Sequence, residues 1–384
     1  MVANKPRPLR YFFKSLATSA QPPDVENPGC FTLAVHRAAR YGTVAELEAQ
    51  LAAGGNPNAR DDNGHTLLHL ATDIQKVKLL LDAGADPRLM HYGGYTPLHL
   101  SAILPDGKLL SFYLDHLPIE ALLQKSYHRQ DSILHLAIRH GGRDMDLIQK
   151  IIDIGIPVNS CDHYGYTPLQ VACEHGRADI ARLLVQNGAD VNKLTDKASF
   201  LAFAVYARSA ETVACLVDAG IDVDTVSCRS GRTSLGIATG VGVINKAIIQ
   251  HLLGAGANPN HRCAEGKTAL HELKFEAVVD LLPIFLRFGA DVNAQDGFGR
   301  TPMHCLINEM QERRIGPVRS EEESNLITAL QLFLKAGANP ELKDKDGKRI
   351  YEYAYSYSMS QTADFLEGVS IKYAQKERHH GPRP

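Results

Sequence analysis

One short string recurs along this 384-residue chain: Gly94-Tyr95-Thr96-Pro97-Leu98-His99, Gly165-Tyr166-Thr167-Pro168-Leu169-Gln170 and Gly299-Arg300-Thr301-Pro302-Met303-His304, with Gly64-His65-Thr66-Leu67-Leu68-His69 close to it. A second string alternates with it, as Gly84-Ala85-Asp86-Pro87, Gly188-Ala189-Asp190-Val191-Asn192, Gly256-Ala257-Asn258-Pro259-Asn260, Gly289-Ala290-Asp291-Val292-Asn293 and Gly337-Ala338-Asn339-Pro340. The slot of the motif histidine falls at His36, His69, His99, His135, Gln170, Ala202, Gly236, His271, His304 and Glu352, ten copies about 33 residues apart with a longer last interval. Units of this length cannot bury an apolar face alone, so each must stack on its neighbours.

Within a copy the residue order predicts two helices. Thr-Pro places proline in the first helical turn, where its missing N–H costs little, with the threonine available as cap. In copy five Leu169, Val171 and Ala172 begin the first helix, while Ile180, Leu183 and Leu184 give the second its apolar stripe. Gly188 ends that helix, and Asp162 and Gly165 occupy the polar turn between copies. These strings resemble the ankyrin repeat family, whose signature is T-P-L-H-x-A, over residues 31–366. The resemblance implies an all-α ankyrin-repeat solenoid, a helix-turn-helix plus a β-hairpin loop per repeat, in a single elongated domain.

The departures from the pattern locate irregularities. Copy two is three residues short between its helices, and copy three has Leu117-Pro118-Ile119 where the Gly-Ala-Asp string belongs. Copies six and seven carry Ala202 and Gly236 in the histidine slot. Copy nine holds extra residues near 309–324, which read as an inserted exposed loop. Copy ten is charged, as a terminal cap should be. Beyond it, 367–384 reads as a mobile basic tail. At the other end, segment 1–30 is basic, with Leu9, Phe12, Phe13 and Leu16 on one side of a short amphipathic helix. A cap on the first copy, mitochondrial-type targeting, a membrane-surface contact and partner docking all stay open for it.

Catalytic and metal chemistry finds little support. The family resemblance gives His36, His69, His99, His135, His271 and His304 a hydrogen-bonding role between repeats. Cys161-x-His163 and Cys173-x-His175 fit no common zinc spacing, and no phosphate-loop or nucleophile-elbow motif occurs. The expectation is therefore no enzyme, no cofactor and no metal. Seven scattered cysteines without a C-x-x-C pair suit a reducing, intracellular setting, cytoplasmic or nuclear. No stretch approaches a membrane span. With 41 Lys and Arg against 43 Asp and Glu the net charge is −2, which argues against nucleic acid as the main partner.

The surface signal lies on the turns between copies. His91, Tyr92 and Tyr95, then Tyr127, His128 and Arg129, then His163, Tyr164 and Tyr166 place aromatic and basic groups there. Tyrosine and arginine bring large contact area with a polar handle, although Tyr95 and Tyr166 could equally pack on neighbouring turns. Farther on, the residue before the motif threonine becomes basic at Arg232, Lys267, Arg300 and Lys348, a stripe suited to an extended or acidic segment. The resemblance implies a non-catalytic protein-protein interaction module, monomeric, acting as adaptor, scaffold or inhibitor through its concave face and hairpin tips. An alternative is an unusual enzyme or small-molecule-binding protein with a pocket in the irregular central repeats, copies three to seven.

Overall fold

The computed structural model describes residues 30–141, 144–193, 199–226, 230–240, 244–312 and 320–380. The amphipathic segment at Leu9 to Leu16, Cys228, and Val241-Gly242 lie outside the described residues. Among these residues every named element is helical, and the backbone forms two compact units, Met1–Leu100 and Ser101–Pro384. The first unit holds α1 (Cys30–Tyr41), α2 (Val44–Ala52), α3 (Leu67–Leu70) and α4 (Ile74–Asp82), and α5 (Pro97–Ser101) begins at its end. The second opens with α6 (Lys108–His116), α7 (Ile119–Leu122), α8 (Ile133–His140), α9 (Met145–Asp153), α10 (Pro168–Glu174) and α11 (Ala178–Gln186). It continues with α12 (Phe200–Tyr206), α13 (Ala210–Asp218), α14 (Ser234–Gly240), α15 (Lys246–Gly254), a 3₁₀ turn (Ala269–Glu272) and α16 (Phe275–Arg287). α17 (Pro302–Glu312), α18 (Ser320–Lys335), α19 (Ile350–Ser356) and α20 (Ser360–His380) complete it.

In the second unit the first helices of successive copies pack side by side, α8 on α10, α10 on α12, α12 on α14, and so on to α19. The second helices form a parallel layer from α9 to α20. The core lies between the layers. Thr167 caps α10 by accepting the Gln170 N–H, and Pro168 is its first residue, as the Thr-Pro string predicts. In α11, Ile180 and Leu184 are buried whereas Leu183 is only half-buried, so Leu184 is the inward residue of that pair.

Two kinds of side chain tie each copy to the next. The Thr66 N–H donates to His69 Nδ1 at 3.0 Å, and His69 Nε2 lies 3.0 Å from the Tyr95 carbonyl of the following turn. His135 repeats this from Ser132 to Tyr166 O at 2.9 Å, and His271 from Thr268 to Arg300 O at 3.0 Å. Because Nδ1 accepts a backbone N–H, the proton sits on Nε2 and the ring is neutral. Asparagines make the second tie: Asn159 donates to Gly188 O and accepts the Asp190 N–H, and Asn260 does the same with Gly289 and Asp291.

The connecting hairpins contain no strand among the described residues, only an isolated bridge between Arg60 and Thr66. A carboxylate holds each turn instead. Asp296 Oδ1 accepts the N–H groups of Phe298 and Arg300, and Asp344 Oδ1 those of Asp346 and Lys348. Adjacent turns touch backbone to backbone. A Cβ on Gly299, whose φ is +78°, would lie 2.8 Å from Lys345 N, so only glycine admits the close approach.

Two sequence expectations are corrected. The extra residues near 309–324 are largely helix: α17 runs on to Glu312 and α18 begins at Ser320, with 313–319 outside the described residues. Met310 continues the buried side of Leu306 and Ile307, and Leu326 answers it from α18, so both helices lengthen around shared apolar contacts. The buried Glu323 accepts the Thr362 N–H at 2.7 Å, fastening the start of α20. The helical end also lies farther along than a tail starting at residue 367 implies. α20 passes Gly368 to His380, held by buried Leu366 and by the Ser370 hydroxyl on Glu341.

Two expected outcomes follow from this packing. Leu184→Ala lowers unfolding free energy by about 2–5 kcal/mol in urea denaturation, while Leu183→Ala has a smaller effect. Burial depresses His271 and His304 to about 4 and His69 to about 3, against 6.5 for a free imidazole. The unfolded chain therefore takes up protons that the folded chain refuses between those values. Their stabilisation is complete above pH 6.5 and declines as pH falls toward 4. Thermal midpoints should be flat from pH 7 to 8 and several degrees lower at pH 5; a midpoint unchanged at pH 5 contradicts neutral buried imidazoles.

Candidate functional site

The turns of copies four and five show how the chain presents aromatic side chains. Asp162 Oδ1 accepts the N–H groups of Tyr164 and Tyr166 at 2.8 and 2.9 Å, and the His163 N–H donates to Arg129 O at 2.7 Å, joining the two turns. Copy four lacks the turn aspartate and glycine. Ser126 Oγ accepts the Asp131 N–H instead, and Gln130 takes the positive φ of 53°. On this frame Tyr127 is 69% exposed and Tyr164 52%, with His128 and His163 exposed beside them. The Arg129 guanidinium stands 5.7 Å from the centre of the Tyr164 ring.

Beneath the tips lies a charge network that the sequence reading did not single out. The side chains of Asp131 and Asp162 are fully buried. Arg139 reaches Asp131 at 2.9 Å and Asp162 at 3.8 Å, while Arg129 Nε lies 3.3 Å from Asp131. Two cations meet two anions, so the base of these turns is neutral and fixed. The available signal was Asp131, which fills the slot held by Tyr95, Tyr166 and Arg300 in other copies.

The other candidates fall into separate settings. In the first unit Tyr92 is 71% exposed and lies over Gly64, where a Cβ would come within 2.7 Å of its ring. Tyr95 is half-buried, its ring 5.9 Å from His91 and 6.1 Å from His99. Tyr166 is half-buried against Phe203 at 5.7 Å. In the second half of the array the basic residues are matched by carboxylates. Arg232 meets Glu272 at 2.8 Å, Lys267 meets Glu265 at 2.7 Å and Glu272 at 3.8 Å, and Arg300 meets Asp296 at 2.8 Å. Burial works against the Lys267 charge, yet Glu265 and Glu272 raise its pKa above the usual lysine value. Asp296, despite partial burial, is held below the usual carboxylate range by Arg300. Lys348 is exposed. The stripe therefore carries alternating charge rather than a uniform positive field.

A cleft of about 310 Å³ opens along copies seven to nine, between the end of α14 and α17, lined by Lys267, Glu272, Lys274, Arg300, Cys305, Asn308, Glu309 and Glu312 among others. It lies outside copies three to seven, apart from Gly240 at its edge. Burial pushes the Cys305 thiol up to about 12, so it stays protonated there. Cys173 is wholly buried, and among the described residues no three His, Cys, Asp or Glu side chains converge in a way that could hold a metal ion. None of the described helices is long and apolar enough to cross a membrane.

Against known proteins, the family model described as "Ankyrin repeats (3 copies)" matches residues 35–114 and 106–195. The chain is an ankyrin-repeat protein. It is 28% identical over 175 residues to the B-cell lymphoma 3 protein homolog of Mus musculus, covering 44% of this chain and 38% of that one. A putative ankyrin repeat protein of Fowlpox virus (strain NVSL) is 32% identical over 148 residues, 36% of this chain and 43% of the viral one. This ankyrin-repeat protein thus spans less than half the length of these relatives. The crystal structure of the ankyrin repeat domain of Bcl-3 is similar at a TM-score of 0.48 and 26% identity, over 62% of this chain and 99% of that domain.

Removing Arg139 should expose the role of the buried network in this ankyrin-repeat protein. Arg139→Ala leaves the buried Asp131 and Asp162 short of a cation and should lower stability by about 3–5 kcal/mol in denaturant titration. A loss below 1 kcal/mol would mean, as for an exposed pair, that the network does not hold the turns.

Proposed function

We propose that this chain is a non-catalytic protein-binding module that captures its partner with the turns of copies four and five, and acts as an adaptor, scaffold or inhibitor. The observation that carries the proposal is the pair of exposed tyrosines, Tyr127 and Tyr164, on turns anchored by the fully buried Asp131 and Asp162. Exposed aromatic rings on a rigid base lose little conformational freedom on binding, so their buried area converts efficiently into affinity. Arg129, stacked over Tyr164, supplies donors at the rim, and His128 and His163 add further polar contacts. Tyr92, equally exposed on a turn of the first unit, offers a second anchor of the same kind. Membership in the ankyrin-repeat family supports a binding role, and the free thiols at Cys161, Cys173, Cys215, Cys263 and Cys305 suit an intracellular protein.

The test uses the intact chain as bait in lysate from its source cells, compared with Tyr127→Ala/Tyr164→Ala. Both side chains are exposed, so the thermal midpoint of the variant should match that of the parent, while one or more captured proteins should be lost. Identical captured sets would remove these turns from the binding surface. A retained small molecule with no retained protein would favour a ligand-binding role instead.

A further inference from the structure

The cleft at copies seven to nine owes its existence to a mismatch in helix length. Copy eight reduces its first helix to the single 3₁₀ turn Ala269–Glu272, followed by extended residues, whereas the first helix of copy nine, α17, has 11 residues against seven in α10 and α12. The shortened element leaves a gap of about 310 Å³ along the side of α17. Its two ends differ in charge. Lys267 and Arg300 stand at the turn end, half-buried, and Glu309 and Glu312 belong to the last turns of α17. The helix C-terminus adds partial negative charge at that second end. Glu309 keeps one oxygen on the Phe275 N–H, which fixes the carboxylate.

We propose that this cleft receives an extended segment of a separate protein that carries an acidic and a basic side chain about four residues apart, the acidic one meeting Arg300 and Lys267 and the basic one Glu309 and Glu312. At a helical rise of 1.5 Å per residue, Glu309 and Glu312 lie roughly 14–18 Å along from Arg300. An extended chain covers that distance in about four or five residues at 3.3 Å each. A polar, elongated cleft with opposite charges at its ends matches a dipolar peptide better than an apolar metabolite, which calls for a mostly apolar, enclosed pocket. A uniformly acidic ligand would gain at one end and be repelled at the other. The inference rests on the chain being a protein-binding module and adds a second contact to it.

Four fluorescein-labelled peptides on one Gly/Ser/Ala background test the proposal against the full-length protein by fluorescence anisotropy. One carries Asp and Arg four positions apart, one the same pair in reverse order, one Asp alone and one Arg alone. At least one dipolar peptide should bind about five- to tenfold more tightly than both single-charge peptides. Glu309→Gln/Glu312→Gln keeps the acceptor for the Phe275 N–H and should abolish that advantage without shifting the thermal midpoint. Equal binding of all four peptides, binding of none, or an advantage that survives in the double variant overturns the proposal. Capture through Tyr127 and Tyr164 is measured on the same preparations. Its persistence alongside peptide failure removes the cleft alone, whereas failure of both removes the binding-module reading.

Discussion

A neutral imidazole that accepts a proton from its own helix start and donates its own to the next turn is the joint on which this fold depends. His69, His135 and His271 each bridge a capping Thr or Ser to a carbonyl about one repeat farther along. A net hydrogen bond contributes only about 0.5–1.5 kcal/mol, but an unmet buried donor or acceptor costs more. Each copy thus needs its neighbour to satisfy polar groups as well as to cover apolar ones. Where Gln170, Ala202 and Gly236 replace the histidine, the asparagine ties continue. Asn159 holds Gly188 and Asp190, Asn192 accepts the Asp222 N–H, and Asp224 accepts the Asn258 N–H. Asp224 is an acceptor only, so copy seven loses the donor half of that tie as well as the imidazole.

The same economy of local anchoring builds the candidate surface. A turn held by one carboxylate accepting two backbone N–H groups has few other conformations, and its tip can carry a large side chain without collapsing. In copies four and five the carboxylates are buried among arginines. Buried ion pairs often add little net stability, since desolvation offsets attraction, yet removing one partner strands the other. Their role here is geometric: the Asp131, Asp162, Arg129 and Arg139 set fixes where Tyr127 and Tyr164 stand.

The repeat and its helix pairs were legible in the sequence because Thr-Pro, Gly-Ala-Asp and the motif histidine are each tied to a local backbone requirement. Exposure of Tyr92, Tyr127 and Tyr164 was legible for the same reason, since turn tips face outward. The state of the basic stripe was not. Glu272 sits on the 3₁₀ turn of copy eight but neutralises Arg232 of copy seven, a relation between copies that no single string displays. The helical character of 309–324 was hidden by its Arg-Arg and Gly-Pro pairs, which signal a loop, while the buried Met310, Glu323 and Leu326 beside them extend two helices. The cleft is likewise a difference between neighbouring helix lengths, invisible in either copy alone.

A chain with a net charge of −2 and most of its described basic residues matched by carboxylates cannot draw a partner by long-range attraction. Selection must come from contact. Copies five and eight are three repeats apart, roughly 25–30 Å if neighbouring helices stand 8–10 Å apart. One extended segment of about eight or nine residues spans that interval. Two weak contacts on one segment would then act at high effective concentration, so the affinity of the pair would exceed that of either alone and depend on the spacing between them. The repeat sets that spacing, because the histidine and asparagine ties hold each copy at a constant step from the last.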